Sequence, residues 1–190
     1  RPEVNFTYPS KEGDILGGKV TVYGTAEDNV GTNIGVRDVW VQILSKTHWD
    51  AGHNTASTGN NFGESENSVT SFELTTNDLD YLVDNGYEVW NMKKYSGAET
   101  NTDWKWTKGQ SVPSGYSVND YAILARLSGI AWLLDINNAK EFNPQGSNTN
   151  SIAIRVFARD KDGKFSAKYD KLVKFDASRP VISNLKLVQK

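Results

Sequence analysis

A strictly alternating stretch at residues 151–163 constrains the fold of this chain more than any other feature. Four apolar side chains recur there at every second position: Ile152, Ile154, Val156 and Ala158. The opposite side of an extended chain would carry Arg155, Phe157 and Arg159. A period of two with β-branched residues predicts a β-strand that is half-buried, with the apolar set facing a core.

A turn signature, Asp-Lys-Asp-Gly at residues 160–163, ends this predicted strand. An Asp side chain can bond its own backbone, and Gly supplies a positive φ. A second apolar run at residues 171–176 follows after a gap short enough for a hairpin. The sequence therefore predicts an antiparallel hairpin that forms the central pair of a β-sandwich.

Length and composition suit one domain, or one domain with a large insertion. The chain has 190 residues, of which 37% are hydrophobic and 11% aromatic, and it is rich in Gly, as turn-rich β proteins are. Its formal net charge of -2 gives no electrostatic reason to bind nucleic acid or an anionic membrane. No apolar run approaches the ~20 residues of a membrane span, so no membrane insertion is expected. Cysteine is absent, which excludes disulfides, Cys-ligated zinc and thiol catalysis.

Four further strands are predicted from the same period, at residues 1–9, 19–26, 36–43 and 130–137. The residues expected to point inward on the second and third of these are Val20, Val22, Val39, Val41 and Ile43. The opposite face of the third strand carries Trp40 and Leu44, and it is apolar enough to leave the phase of that strand open. On the last strand, one face carries three apolar side chains: Trp132, Leu134 and Ile136.

The segment from about residue 45 to 129 breaks this rhythm, and we expect an ordered insertion with small elements of its own. Residues 76–86 contain an N-cap candidate, an acidic first turn and a Gly stop, which predict a short helix. Residues 87–93 are predicted to be extended, and residues 120–128, followed by Gly129, to form a second short helix. The predicted fold class is all-β: an antiparallel sandwich with a large insertion that contains one or two short helices.

The flanks of the insertion resemble a known family. The resemblance is carried by Gly17-Gly-Lys-Val-Thr-Val-Tyr-Gly-Thr-Ala-Glu-Asp28, by residues 36–41, by Ile152-Ala-Ile-Arg-Val-Phe-Ala-Arg-Asp-Lys-Asp-Gly163 and by residues 175–180. These stretches, roughly half the chain, resemble the immunoglobulin-like modules repeated in large bacterial surface proteins. The resemblance implies an immunoglobulin-like sandwich of about seven strands that acts as a spacer or adhesive unit outside the cell. It implies no catalysis, and no family role transfers to the insertion.

The two ends of the sequence echo each other. The dipeptide Arg-Pro opens both the chain and the segment 179–190, and apolar residues follow it each time. This echo predicts a tandem array, in which residues 1–178 form a single domain and residues 179–190 begin a following module or linker. Neighbouring modules of the same chain are therefore expected partners. The chain starts without an initiator Met or a signal peptide, and we expect it to be part of a longer protein at the bacterial surface or outside the cell.

Three carboxylates are candidate calcium ligands: Asp28, Asp160 and Asp162. In an immunoglobulin-like sandwich the loop after the second strand and the final hairpin loop share one end, so these side chains are expected to converge. Ca²⁺ takes roughly six to eight oxygen ligands. The simpler alternative is that each Asp stabilises its own turn. It is favoured because no bidentate Glu stands at a known loop spacing, and no other cofactor is indicated.

Tryptophan concentrates in or beside the insertion, and three of these residues are candidate ligand-binding residues: Trp90, Trp104 and Trp106. Trp104 and Trp106 would face the same side if they lie on a strand. Exposed coplanar rings would stack on sugar rings or anchor a protein partner. The alternative, which we favour, is that a small insertion with few aliphatic residues uses Trp as its core. The solvent exposure of the three rings distinguishes the two.

The function predicted from these features is non-catalytic: one repeat of a bacterial cell-surface or secreted protein, serving as a spacer and as an adhesion module toward a host protein or glycan. Neither a Gly-x-Ser-x-Gly nor a His-Glu-x-x-His motif occurs in the sequence. Two alternatives stay open. One is a carbohydrate-binding module of an extracellular enzyme, and the other is a catalytic site within the insertion that uses a glycosidase carboxylate pair.

Overall fold

A computed structural model describes residues 1–28, 35–45, 74–97, 102–137, 151–167 and 169–176. Within them the chain forms one α-helix, α1 (Thr76–Asp84), one 3-10 turn (Val118–Asp120) and ten strands. The strands are β1 (Glu3–Tyr8), β2 (Ile15–Gly17), β3 (Val20–Glu27), β4 (Val36–Ser45), β5 (Val89–Asn91), β6 (Tyr121–Leu124), β7 (Arg126–Ser128), β8 (Ala131–Ile136), β9 (Ser151–Asp160) and β10 (Tyr169–Asp176). No helix in the described ranges is both long and apolar enough to cross a bilayer.

The strands form two sheets, which confirms the predicted all-β sandwich. One sheet has the order β1-β3-β8-β7, and the other has the order β2-β10-β9-β4-β6-β5. The predicted hairpin is present, since β9 and β10 pair antiparallel, and β9 also pairs with β4. β2 departs from the antiparallel pattern, because it pairs with β10 in parallel. The apolar pattern does not predict this three-residue edge strand.

The main core lies between the two sheets. Its buried members include residues predicted to point inward: Val22, Val39, Val41, Ile43, Trp132, Leu134, Ile136, Ile154, Val156 and Ala158. Val20 packs against the same core and is partly buried. The phase of β4 is therefore settled, with Val39, Val41 and Ile43 between the sheets. The side chain of Ile152 lies outside the described residues.

The outer face of β9 is also buried, so the prediction of a half-buried strand is wrong. Arg155, Phe157 and Arg159 are all buried on that face. A second apolar cluster covers this part of the six-stranded sheet, and its members are Trp40, Trp90, Met92, Tyr95, Ala122 and Phe157. Trp90, Met92 and Tyr95 come from the insertion, which therefore supplies the cover that the alternating pattern of β9 did not reveal.

The first predicted helix of the insertion is confirmed as α1. Thr75 is its N-cap: the Thr75 hydroxyl accepts a hydrogen bond from the Asp78 amide, and the Asp78 carboxylate accepts one from the Thr75 amide. This reciprocal pair satisfies two amides that the first helical turn leaves free. Leu79 and Leu82 are buried in the main core. Gly86 follows the helix with a φ of 85°, a backbone conformation that favours glycine.

The second predicted helix, at residues 120–128, is wrong. The chain forms only a single 3-10 turn before it becomes β6 and then β7. β6 lies between β4 and β5, so Tyr121, Ala122 and Ile123 are all buried and the alternation that marks a strand is lost. At Ala125 the amide donates to the carbonyl of Val39 over 2.9 Å, and the chain then crosses into the other sheet as β7. The extended segment predicted at residues 87–93 is confirmed as β5.

The described chain enters and leaves the sandwich at opposite ends. β1 begins where β3 ends, because Glu3 pairs with Glu27. β9 begins at the other end of the sandwich. β10 extends beyond that point, because Lys174 pairs with Ser151, the first residue of β9, and β10 continues to Asp176. The first strand therefore starts at the end that contains Asp28 and Asp160, and the last described strand finishes at the far end.

Gly24 on β3 lies between β1 and β8 in the four-stranded sheet, and its replacement tests the packing of these strands. A Cβ atom at this position would overlap the carbonyl oxygen of Asn5 and would lie 2.9 Å from the indole nitrogen of Trp132. That nitrogen donates a hydrogen bond of 3.1 Å to the same Asn5 carbonyl. We expect Gly24→Ala to lower the free energy of unfolding by about 1–3 kcal/mol, because β1 must shift. Urea unfolding measures this, and Thr25→Ala is the control, with an expected change within about 0.5 kcal/mol. Equal effects of the two substitutions would contradict the prediction.

Candidate functional site

The insertion is tied to the six-stranded sheet in two ways. Beyond the edge strand β5, Trp104 and Trp106 run alongside it: the Asn91 amide donates to the Trp104 carbonyl over 2.9 Å, and the Trp106 amide donates to the Val89 carbonyl over 2.7 Å. After β5, the chain turns over the outer face of the sheet, where Met92 and Tyr95 join the second apolar cluster. We call the described residues 92–97 and 102–120 the covering segment.

A buried ion pair holds the covering segment on the sheet. Asp38 on β4 and Arg159 on β9 face each other across neighbouring strands, and both are nearly inaccessible to solvent. The Arg159 guanidinium donates to both Asp38 carboxylate oxygens, over 2.9 and 2.6 Å. It also donates to the backbone carbonyls of Met92 and of Tyr95. Arg159 therefore joins the sheet and the insertion through a single side chain.

The buried carboxylate of Asp38 accepts hydrogen bonds from two further side chains. The indole N–H of Trp40 donates to one carboxylate oxygen, and Arg37 donates to the other over 3.0 Å. The guanidinium of Arg159 lies 5.6 Å from the Trp40 ring and 5.5 Å from the Phe165 ring, within the range of cation–π attraction. A buried charge pair needs this set of hydrogen bonds, because desolvation otherwise outweighs the attraction between the charges.

Two of the three predicted ligand-binding tryptophans are buried. Trp90 is 2% exposed and packs edge-on against Tyr95, with ring centroids 5.1 Å apart. Trp106 is 1% exposed, belongs to the main core and donates its indole N–H to Asp80 over 2.8 Å. Neither ring offers a face to a ligand in this conformation. The expected pair of exposed coplanar rings at Trp104 and Trp106 is therefore not formed.

Trp104 is half-buried, and it is the centre of a small aromatic surface. The Tyr116 ring lies 5.0 Å from the Trp104 ring at an interplanar angle of 60°. The ammonium of Lys94 lies 5.3 Å from the Trp104 ring and 5.7 Å from the Tyr116 ring. We call Lys94, Trp104 and Tyr116 the Trp104 patch. Sequence reasoning missed Lys94 and Tyr116, because no motif spacing joins residues from separate irregular segments.

The lysines around the Trp104 patch differ in their partners. Three of them form ion pairs: Lys93 with Asp120 at 2.6 Å, Lys105 with Glu88 at 2.8 Å and Lys108 with Asp84 at 2.6 Å. The hydrogen bond from Lys108 to Asp84 raises the pKa of this lysine. Lys94 is exposed and forms no ion pair with any carboxylate in the described part of the chain. Its positive charge faces the two rings and solvent.

The three predicted calcium ligands lie toward one end of the sandwich but do not form a group. Asp28 is buried and lies 3.5 Å from the terminal ammonium of Arg1. Asp160 is buried and accepts the Lys164 amide over 2.8 Å within its own turn, whereas Asp162 is exposed. Across the residues that the structure describes, no group of three or more His, Cys, Asp or Glu side chains is arranged to hold a metal ion. Calcium binding stays a prediction, and Asp160 has the turn role that the simpler alternative assigned to it.

A cleft of about 200 Å³ opens between β6, β7 and β8, next to residues 86–88. Its charged side chains have partners, because Arg126 pairs with Asp135 at 2.8 Å and Glu88 pairs with Lys105. The Thr21 hydroxyl also donates to Asp135 over 2.6 Å. Burial raises the pKa of Tyr87, in the cleft wall, to about 12. A tyrosine is a neutral hydroxyl at neutral pH already, and the raised pKa of Tyr87 keeps it so under alkaline conditions.

Comparisons with protein-family models, with curated proteins and with solved structures gave no match. The geometry itself defines a class: a two-sheet β protein whose insertion covers the outer face of the larger sheet. Among the described residues of that insertion, the Trp104 patch combines an accessible aromatic ring with a cation that has no carboxylate partner. It is the candidate binding site.

Proposed function

We propose that this chain is a non-catalytic, immunoglobulin-like module of a bacterial cell-surface or secreted protein, which serves as a spacer and presents its insertion for binding. The strand order supports the immunoglobulin-like part. In that fold, strands A, B, E and D form one sheet and strands G, F and C form the other. β1, β3, β8 and β7 take the first four positions, and β10, β9 and β4 take the other three. β6 lies next to β4, where variable-type domains add strand C′.

The observation that carries the spacer role is the direction of the chain through the sandwich. β1 starts at the end that holds Glu27, and β10 finishes at the opposite end beside Gly17. Modules with this arrangement follow one another in a line, because each begins where its predecessor has finished. A stack of them projects whatever the insertions present, and neighbouring modules are then the first partners of this one.

Two copies of residues 1–190 joined head to tail test the spacer role. We expect the maximum dimension from small-angle X-ray scattering to nearly double relative to the single copy, because the modules extend from opposite ends. The single copy, measured at equal mass concentration, is the control. A two-copy protein that folds back on itself, with a maximum dimension little above that of one copy, would contradict the proposal.

The binding role is supported by the Trp104 patch. Its aromatic rings and its cation are presented on the insertion rather than on the framework of the sandwich. This favours a glycan or a host protein as the ligand, and it also favours the second candidate function, a carbohydrate-binding module attached to an extracellular enzyme. Both functions use the same surface and differ in what the rest of the protein does.

A further inference from the structure

We propose that the Trp104 patch binds an acidic saccharide, with a sugar ring against Trp104 and its carboxylate or sulfate group on Lys94. This inference rests on the binding role proposed above and names the ligand class of that surface. Four observations support it: the position of Lys94, the charges around it, the size of the apolar surface and the anchoring of the patch.

The Trp104 patch holds the Lys94 ammonium beside two aromatic rings before any ligand binds. The ammonium lies 5.3 Å from the Trp104 ring and 5.7 Å from the Tyr116 ring. Cation–π attraction is weak where solvent has access, so an arriving anion can draw the ammonium toward itself. The same movement uncovers the ring for stacking. A ligand that carries a flat apolar face next to an anionic group gains both contacts together.

The positive charge of Lys94 favours an anionic ligand. Lys93, Lys105 and Lys108 each have a carboxylate partner, whereas Lys94 has no ion pair among the described residues. A ligand anion at Lys94 therefore meets a charge that no carboxylate of the described residues neutralises. Complementary charge of this kind contributes to specificity and to the rate of association. A neutral sugar would stack on the ring but would leave this part of the site unused.

The size of the apolar surface favours a sugar over a protein. Large hydrophobic side chains that are exposed in the described residues lie outside the covering segment: Ile15, Tyr23, Tyr81 and Ile130. A stable protein interface generally buries a well-packed apolar core within ~1,200–2,000 Å² of total surface. Two half-buried rings surrounded by lysines and polar turns are a smaller target. They match a ring-sized ligand whose hydroxyl groups remain in water.

The anchoring of the patch holds its parts in place before a ligand arrives. Asn91 is fully buried, its amide donates to the Trp104 carbonyl over 2.9 Å, and its carbonyl accepts the Lys94 amide over 3.1 Å. The Tyr116 amide closes a turn by donating to the Pro113 carbonyl over 3.1 Å. A single buried residue therefore fixes the backbone of both the ring and the cation. Preorganisation of this kind lowers the cost of ordering a site on binding.

The test is a titration of the whole chain with three polysaccharides: polygalacturonate, which carries carboxylates, heparin, which carries sulfates, and dextran, which is neutral. Tryptophan fluorescence reports binding at the ring, and microscale thermophoresis gives the affinity. We expect at least one acidic polymer to bind saturably, with an affinity that falls as NaCl is raised, and dextran not to bind. A difference between the carboxylated and the sulfated polymer identifies which anionic group the site prefers.

Matched variants separate this site from general charge attraction. We expect Trp104→Ala to abolish saturable binding and Lys94→Gln to weaken it about tenfold. The control is Lys19→Gln, which removes an equal charge from an exposed residue before β3 and should leave the affinity unchanged. The urea midpoint of each variant checks that the fold is intact.

Three outcomes would overturn the proposal. Equal effects of Lys94→Gln and Lys19→Gln would mean diffuse attraction. Binding of dextran that depends on Trp104 would retain the binding role but remove the preference for acids. Failure of all three polymers would remove saccharides and leave a protein as the partner of the patch, while the scattering test of the spacer role would be unaffected.

Discussion

Replacing Asp38 by alanine should lower the free energy of unfolding by about 3–5 kcal/mol, because it leaves a buried guanidinium without its counter-charge. Arg159 is 3% exposed and has Asp38 as its carboxylate partner across the strand pair. The substitution also removes the acceptor for the Trp40 indole. Since Arg159 holds the carbonyls of Met92 and Tyr95, we expect the covering segment to loosen as the pair is lost.

Urea unfolding of Asp38→Ala, followed by circular dichroism, measures this loss. The control is Asp84→Ala, which removes a carboxylate from its ion pair with Lys108 at the surface, where we expect a change within about 1 kcal/mol. Hydrogen exchange of residues 92–97 adds a local readout, and protection there should fall in Asp38→Ala alone. A cost for Asp38→Ala no larger than for the control would show that the buried pair contributes little.

This ion pair also shows where sequence reasoning fails on the framework. The period of two located β3, β4, β8 and β9, and it placed Val22, Ile154 and Val156 in a shared core. The same pattern assigned Arg155 and Arg159 to solvent. Their burial depends on Asp170 and on Asp38, and Asp38 lies 121 residues from Arg159 along the chain. A local pattern contains no information about a carboxylate that the fold brings in from so far away.

Local capping explains why the prediction of α1 is correct, and burial by neighbouring elements explains why the second predicted helix is wrong. α1 was predictable because capping is a local interaction, seen here between Thr75 and Asp78. The helix predicted at residues 120–128 depends on Gly129 as its stop, and both faces of the segment that becomes β6 are apolar, so neither a period of two nor a period of 3.6 stands out. β6 is apolar on both faces because both faces are buried, and in the sheet it lies between β4 and β5.

The candidate site was predictable only in part. Counting tryptophans identified Trp104, but it could not tell this ring from Trp90 and Trp106, because aromatic side chains serve cores and binding surfaces equally well. Tertiary contacts distinguish the rings: the Trp106 indole donates a hydrogen bond to Asp80, whereas the Trp104 ring lies beside the ammonium of Lys94. Neither partner is adjacent to its ring in the sequence.

Replacing Trp106 by alanine is the second large effect that we expect, with a loss of about 3–5 kcal/mol in the free energy of unfolding. The ring is 1% exposed, lies 5.0 Å from the Tyr121 ring and belongs to the core between the sheets. Its removal leaves a cavity and leaves Asp80 without the indole donor. Trp106→Phe should cost less, because it retains an aromatic ring while giving up the hydrogen bond.

Trp104→Ala is the control within the same segment, since it also removes one indole but from a half-buried position. We expect it to cost about 1 kcal/mol or less in urea unfolding while it abolishes binding to the acidic polysaccharide. Trp106→Ala should instead lower stability first, and its remaining folded fraction should still bind. This contrast assigns one tryptophan to the interior and the other to recognition. If Trp104→Ala were as destabilising as Trp106→Ala, then Trp104 would be a core residue too, and the surface on which the binding proposal depends would not exist.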